Sequence, residues 1–152
     1  MNKTLEFIKS ILIAVILGGI VGLIISNFMD YDIINKPPLS PPTILFPIVW
    51  TVLYILMGIS YGILKTNNLV DDKVKSVYYT QLLTNVTWPI IFFAFKWRFI
   101  AIIWIIVLLI LIIYMTILFY KKKKLAGLLQ ILYIIWTIFA TYLTIGVYVL
   151  NR

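Results

Sequence analysis

Gln81, Thr84, Asn85, Trp88 and Phe92 recur at three- and four-residue intervals, so one helical face carries two amides, a hydroxyl and two aromatic rings. Pro47, Trp50, Tyr54, Met57 and Tyr61 form a second such stripe, and Tyr133, Trp136, Thr137, Ala140, Leu143 and Thr144 a third. Rings stack on flat apolar molecules, and a few fixed polar groups orient them. Three aromatic-polar stripes therefore describe a pocket for a flat, hydrophobic ligand. Other chemistry is scarce. The chain has no His and no Cys, and no Asp or Glu falls inside its apolar runs. Ser-His-Asp triads, carboxylate dyads, thiol catalysis, thiolate metal sites, His-ligated haem and intramembrane carboxylate proton relays are thereby excluded. Neither a metal site nor a required cofactor is expected. Any reaction would be borne by the ligand itself, with aromatic side chains as electron partners.

Such faces need helices to carry them, and the charges say where the helices lie. The 13 Lys and Arg and the 5 Asp and Glu sit in short gaps or at the chain ends. Between them run uncharged apolar stretches at 10–29, 43–64, 76–95, 99–120 and 125–151. Each is close to the ~20 residues an α-helix needs to cross ~30 Å of hydrocarbon. A charge at the bilayer centre costs about 3 kcal/mol, so the gaps mark where the chain meets water. The expected fold is all-α, an integral membrane bundle of five helices in a single domain over 1–152. Its spans fall near 7–29, 43–65, 76–95, 99–120 and 125–150, with a lid loop at 30–42. A content of 63% hydrophobic residues and a mean hydropathy of +1.08 agree.

The net charge of +8 is carried by residues that cap apolar runs, which suits phospholipid headgroups and not nucleic acid. The first run is longer than the ~7–15 residues of a signal-peptide core, and no small-x-small cleavage pattern follows it, so it reads as a retained span. Lys3, Lys9, Lys65, Lys73, Lys75 and lysines 121–124 share one side, against Lys36, Lys96, Arg98 and Arg152 on the other. That asymmetry puts the N-terminus in the cytoplasm.

Pro89, one residue after Trp88, should kink its helix. Four prolines between 37 and 42 stiffen the lid loop, with Ser40 placed to cap the next helix and Pro41 to open it. Lys36 in this loop is available to an anionic ligand group. Trp97, flanked by Lys96 and Arg98, is an interface anchor, whereas Trp104 has no polar residue on its face and should meet lipid. Ala14, Gly18, Gly22 and Ser26, with Gly58 and Gly62, let backbones approach closely, either within one bundle or between the subunits of a homodimer.

These features together resemble the TspO/MBR family, the tryptophan-rich sensory proteins related to the translocator protein or peripheral benzodiazepine receptor. The resemblance runs through Lys36-Pro37 and Pro41-Pro42, through Phe46-Pro47-Ile48-Val49-Trp50-Thr51-Val52-Leu53-Tyr54 with Gly58, and through Gln81-Leu82-Leu83-Thr84-Asn85 with Trp88 and Phe92-Phe93. It ends with Tyr133-Ile134-Ile135-Trp136, Phe139-Ala140-Thr141-Tyr142-Leu143 and Asn151. It implies a five-helix membrane bundle, of bacterial cell-membrane type, that binds porphyrins such as protoporphyrin IX and takes part in tetrapyrrole sensing, transport or disposal. By position, Trp50, Asn85, Trp88, Trp136, Ala140 and Leu143 would line the pocket, with Tyr31, Tyr54 and Phe92 alongside. Two alternatives accompany that reading: light-dependent degradation of protoporphyrin IX, in which Trp50 and Trp136 match the implicated tryptophans, and a small-molecule transporter subunit. Asp30 stands where the family often has Trp, Leu132 where a Pro is usual, and Thr144 where Asn is common. Leu143, Tyr148 and Arg152 also fit a proposed cholesterol pattern.

Overall fold

The computed structural model describes residues 2–152 and is a bundle of five spans. The elements are α1 (Lys3–Ile25), α2 (Leu45–Thr66), α3 (Asp72–Pro89) continued by a π-helical turn (Ile90–Ala94), α4 (Arg98–Lys122), α5 (Lys124–Leu128) and α6 (Ile131–Asn151). The last two run on as one apolar stretch of 28 residues, Lys124–Asn151. This stretch, α1, α2 and α4 are each long and apolar enough to cross a membrane by composition alone. The third span is more polar in composition, and its amides, Gln81 and Asn85, are turned inward and buried. An outer layer of apolar side chains, such as Leu12, Ile16 and Leu23 on α1 and Ile103 and Ile110 on α4, is left exposed. That surface suits acyl chains and marks an integral membrane protein.

Local chemistry sets the helix ends. The Asn2 side chain accepts the Thr4 N–H and opens α1, and Asp71 accepts the Val74 N–H at 2.8 Å to open α3. Asp71 also pairs with Lys122 at 2.7 Å, tying the start of α3 to the end of α4. The Lys122 hydrogen bond, followed by that from Val74, holds this carboxyl below its usual range. The next boundary departs from expectation. Ser40 does not cap α2; its hydroxyl donates to the Pro37 carbonyl at 2.6 Å, and α2 begins at Leu45 without a side-chain cap. Pro41 and Pro42 lie outside the helix, because the proline-rich segment turns upon itself first.

At Pro89 the chain does not break. A proline ring lacks an N–H and crowds the carbonyl four residues back, and α3 relieves this by widening into the π turn, where the Phe95 N–H reaches the Ile90 carbonyl at 3.0 Å. Small residues set the packing of α1 on α2. A Cβ on Gly58 would strike the backbone of Ile11, one on Gly62 the Phe7 ring, and one on Gly18 the Tyr54 ring. These three glycines thus act within the chain. Along α4, Ile105, Leu108, Ile112 and Met115 are fully buried against the rest of the bundle. Trp104 differs from its expected lipid contact: its indole N–H donates to the Thr84 carbonyl at 3.0 Å, so it packs on α3 instead.

Candidate functional site

The site forms where α2, α3 and α6 face one another, because their polar residues have no water and must satisfy each other. The Tyr54 hydroxyl donates to Asn85 Oδ1 at 2.6 Å, and Asn85 Nδ2 donates to the Tyr133 hydroxyl at 2.6 Å. Tyr133 in turn donates to Gln81 Oε1 at 2.7 Å, and Gln81 Nε2 closes on the Tyr78 carbonyl at 2.9 Å. This buried column ties three helices together and fixes the orientation of Tyr54 and Asn85. Tyr133→Phe removes the hydroxyl that both accepts and donates. We expect it to lower stability by about 1–2 kcal/mol, read from thermal unfolding of the purified protein. An unchanged transition would show that the column does not hold the helices.

On the α1 side of this column lies a cavity of about 420 Å³. Its walls are Trp50 and Tyr54 from α2, Asn85, Trp88 and Pro89 from α3, Phe93 from the π turn, and Gly18, Gly19, Gly22, Ser26 and Met29 from the α1 side. The size falls within the range of small-molecule sites. On the α6 side the space between Tyr31, Phe46, Trp50, Phe92, Ala140 and Leu143 is only about 10 Å³, because aromatic rings fill it. Phe46 meets Tyr31 edge-on at 4.9 Å and Trp136 at 5.9 Å, and Trp50 meets Trp136 at right angles at 6.4 Å. Trp88 stacks on Phe92 at 5.0 Å.

Two groups in this region are chemically unfinished. The indole N–H groups of Trp88 and Trp136 are buried and have no hydrogen-bond partner among the described residues. Buried indoles usually find an acceptor, and these two N–H groups are exceptions.

The residues singled out in the sequence fall into distinct groups. Trp50, Tyr54, Asn85 and Trp88 share the open cavity, whereas Tyr31, Phe92, Ala140 and Leu143 surround the filled space beside it. Trp136 stands at the α2–α6 seam and also borders an outer apolar groove with Val49, Val52 and Phe139. The Lys36 ammonium donates to the Tyr31 carbonyl at 2.7 Å and sits 4.8 Å from that ring's centre, so it holds the loop together. Leu143 is buried in the core, Tyr148 packs near Phe99 and Arg152 is exposed, so these three do not share a surface.

Other contributors were not apparent from the sequence. Gly19 and Gly22 form a side-chain-free wall of the cavity, and a Cβ at either would meet nothing within 4 Å. Asn151 clasps the lid: Oδ1 accepts the Asn35 N–H at 3.0 Å and Nδ2 donates to the Asn35 carbonyl at 2.7 Å. The Tyr142 hydroxyl donates to the Pro38 carbonyl at 2.6 Å, and Pro37 lies against Gly146. The lid is thereby fastened along α6. Asp30, at the position where the family often has Trp, is paired with Arg98.

Comparison with known proteins gives consistent matches over the same region. The TspO/MBR family model matches residues 10–150. The chain is 34% identical over 122 residues to the tryptophan-rich protein TspO of Archaeoglobus fulgidus, covering 80% of this chain and 79% of that one. It is 35% identical over 139 residues to the protein CrtK of Rhodobacter capsulatus, covering 88% and 86%. A tryptophan-rich protein TspO of Chlorobaculum tepidum is 32% identical over 124 residues, covering 80% and 78%.

Proposed function

Because the chain belongs to the TspO/MBR family of membrane proteins, we propose that it is a membrane receptor for porphyrins and related flat hydrophobic ligands. On this reading it acts in tetrapyrrole sensing, transport or disposal. The observation that carries the reading is the cavity of about 420 Å³ walled by Trp50, Tyr54 and Trp88, with the Trp88 indole N–H left without a partner. Aromatic walls offer stacking area to a macrocycle, and a single buried donor favours a ligand that carries an acceptor. The names of the relatives, "tryptophan-rich sensory protein" among them, accord with a receptor.

Titration of the purified protein with protoporphyrin IX in the dark tests it. Saturable quenching of Trp emission is expected, at micromolar affinity or about −8 kcal/mol. Trp50→Ala and Trp88→Ala should each weaken binding by about 1–3 kcal/mol, as anchors of well-packed sites do. Trp97→Phe, at the exposed end of its span, should leave the affinity unchanged. Quenching that does not saturate, or that is indifferent to both alanine variants, would sink the reading.

A further inference from the structure

Beyond the loop end of the cavity, two cations that do not themselves line it stand next to its lining residues Met29 and Phe93: one holds the Phe93 carbonyl, and the other pairs with Asp30, the residue after Met29. Lys96 sits in the tight turn between the π segment and α4, at φ 56°, and its ammonium donates to the Phe93 carbonyl at 3.0 Å and the Phe28 carbonyl at 3.3 Å. The ammonium thus spans the rim from α3 to the residues that follow α1. Arg98, two residues on, lies with its guanidinium 5.0 Å from the centre of the Phe92 ring and pairs with Asp30, the neighbour of Met29.

The Arg98 pair is incompletely made. Both short contacts, 2.7 Å to Oδ1 and 2.8 Å to Oδ2, come from one nitrogen, Nη2. Nε is buried and has no partner. A guanidinium binds a carboxylate best through two parallel N–H donors, so Asp30 leaves this fork partly unused. The Lys96 ammonium is likewise held only by neutral carbonyls, which a carboxylate outcompetes.

We propose that Lys96 and Arg98 recognise carboxylates on one edge of a ligand lying in the cavity, and that Asp30 is the internal carboxylate which such a ligand displaces. This rests on the porphyrin-binding reading above and names the feature that selects among such ligands: a flat ring whose acidic arms leave from the same edge. The exchange replaces one carboxylate on Arg98 by another, so a charged ligand can free the Asp30–Tyr31 segment while the guanidinium stays paired. A neutral ligand that displaced Asp30 would strand a largely buried cation.

The test compares protoporphyrin IX with its dimethyl ester, which keeps the ring and removes both charges. The wild-type protein should bind the diacid about tenfold more tightly than the diester, as charge-assisted pairing at a partly buried rim implies. The double variant Lys96→Gln/Arg98→Gln should bind the diacid no more tightly than the diester, and its saturable binding of the diester reports that it folds. Asp30→Asn should strengthen binding of the diacid alone, by several-fold. Equal wild-type affinities, or a diacid preference that survives in the double variant, would overturn the assignment and leave the binding reading standing. Saturable binding of neither compound would remove the reading on which it depends.

Discussion

Replacing Gly58 by Val is expected to destabilise the bundle by about 3 kcal/mol or more, the largest stability effect of any single exchange proposed for this chain. The atoms in the way are the Ile11 backbone and the Ser10 carbonyl, and not the end of a flexible side chain. A Cβ there cannot be accommodated by a rotamer change, so α1 must move off α2, and the Gly62–Phe7 and Gly18–Tyr54 contacts would open with it. Gly22→Val supplies the comparison, since open space surrounds that position; its stability should stay within about 0.5 kcal/mol of wild type. Thermal unfolding of both variants in one detergent measures the difference. If Gly58→Val unfolds with the wild-type midpoint, the α1–α2 contact is looser than its geometry indicates.

Gly22→Leu is expected to weaken porphyrin binding by about a hundredfold, about 2.7 kcal/mol, with stability unchanged. The new side chain clashes with nothing within 4 Å of its Cβ and extends into the space lined by Trp50 and Trp88. It fills the volume that a macrocycle would occupy without touching the aromatic residues themselves. An affinity that survives Gly22→Leu would mean that the ligand does not lie against α1. The alternative is then the space near Ala140 and Leu143, now closed by rings, which would have to open.

The two glycine exchanges illustrate what was legible in the sequence. Charge-free runs marked the spans, since a bilayer tolerates few alternatives, and the helix-period stripes placed Trp50, Tyr54, Asn85, Trp88 and Trp136 near one another. Spacing alone could not tell Gly58 from Gly22. Both belong to four-residue repeats of small residues, yet one abuts a backbone and the other borders a void. The difference depends on how far α1 diverges from α2, which is a property of the pair of helices. The Asp30–Arg98 pair was hidden from the sequence for a related reason. Asp30 and Arg98 are 68 residues apart, and the pair exists only because the end of α1 and the start of α4 meet at one end of the bundle. The unused Ser40 cap shows local competition: the same hydroxyl could serve a helix N-terminus or a turn carbonyl, and the prolines decided for the turn. Trp104 shows the reverse, a residue with no polar neighbour on its own helix that finds a backbone acceptor on another.

The glycine wall has a further consequence for how binding is measured. Gly19 and Gly22 are exposed, so the cavity communicates with the acyl layer, and in a bilayer hydrocarbon competes for it. Moving an apolar ring from acyl chains into an apolar cavity gains almost nothing from the hydrophobic effect, because lipid tails are as apolar as the walls. Every titration is therefore a displacement assay against chain ends. The apparent Kd of this protein should drift with the length and branching of the surrounding alkyl chains, even at fixed porphyrin concentration. What distinguishes a true ligand from its solvent is the handful of directional contacts that an alkane cannot offer.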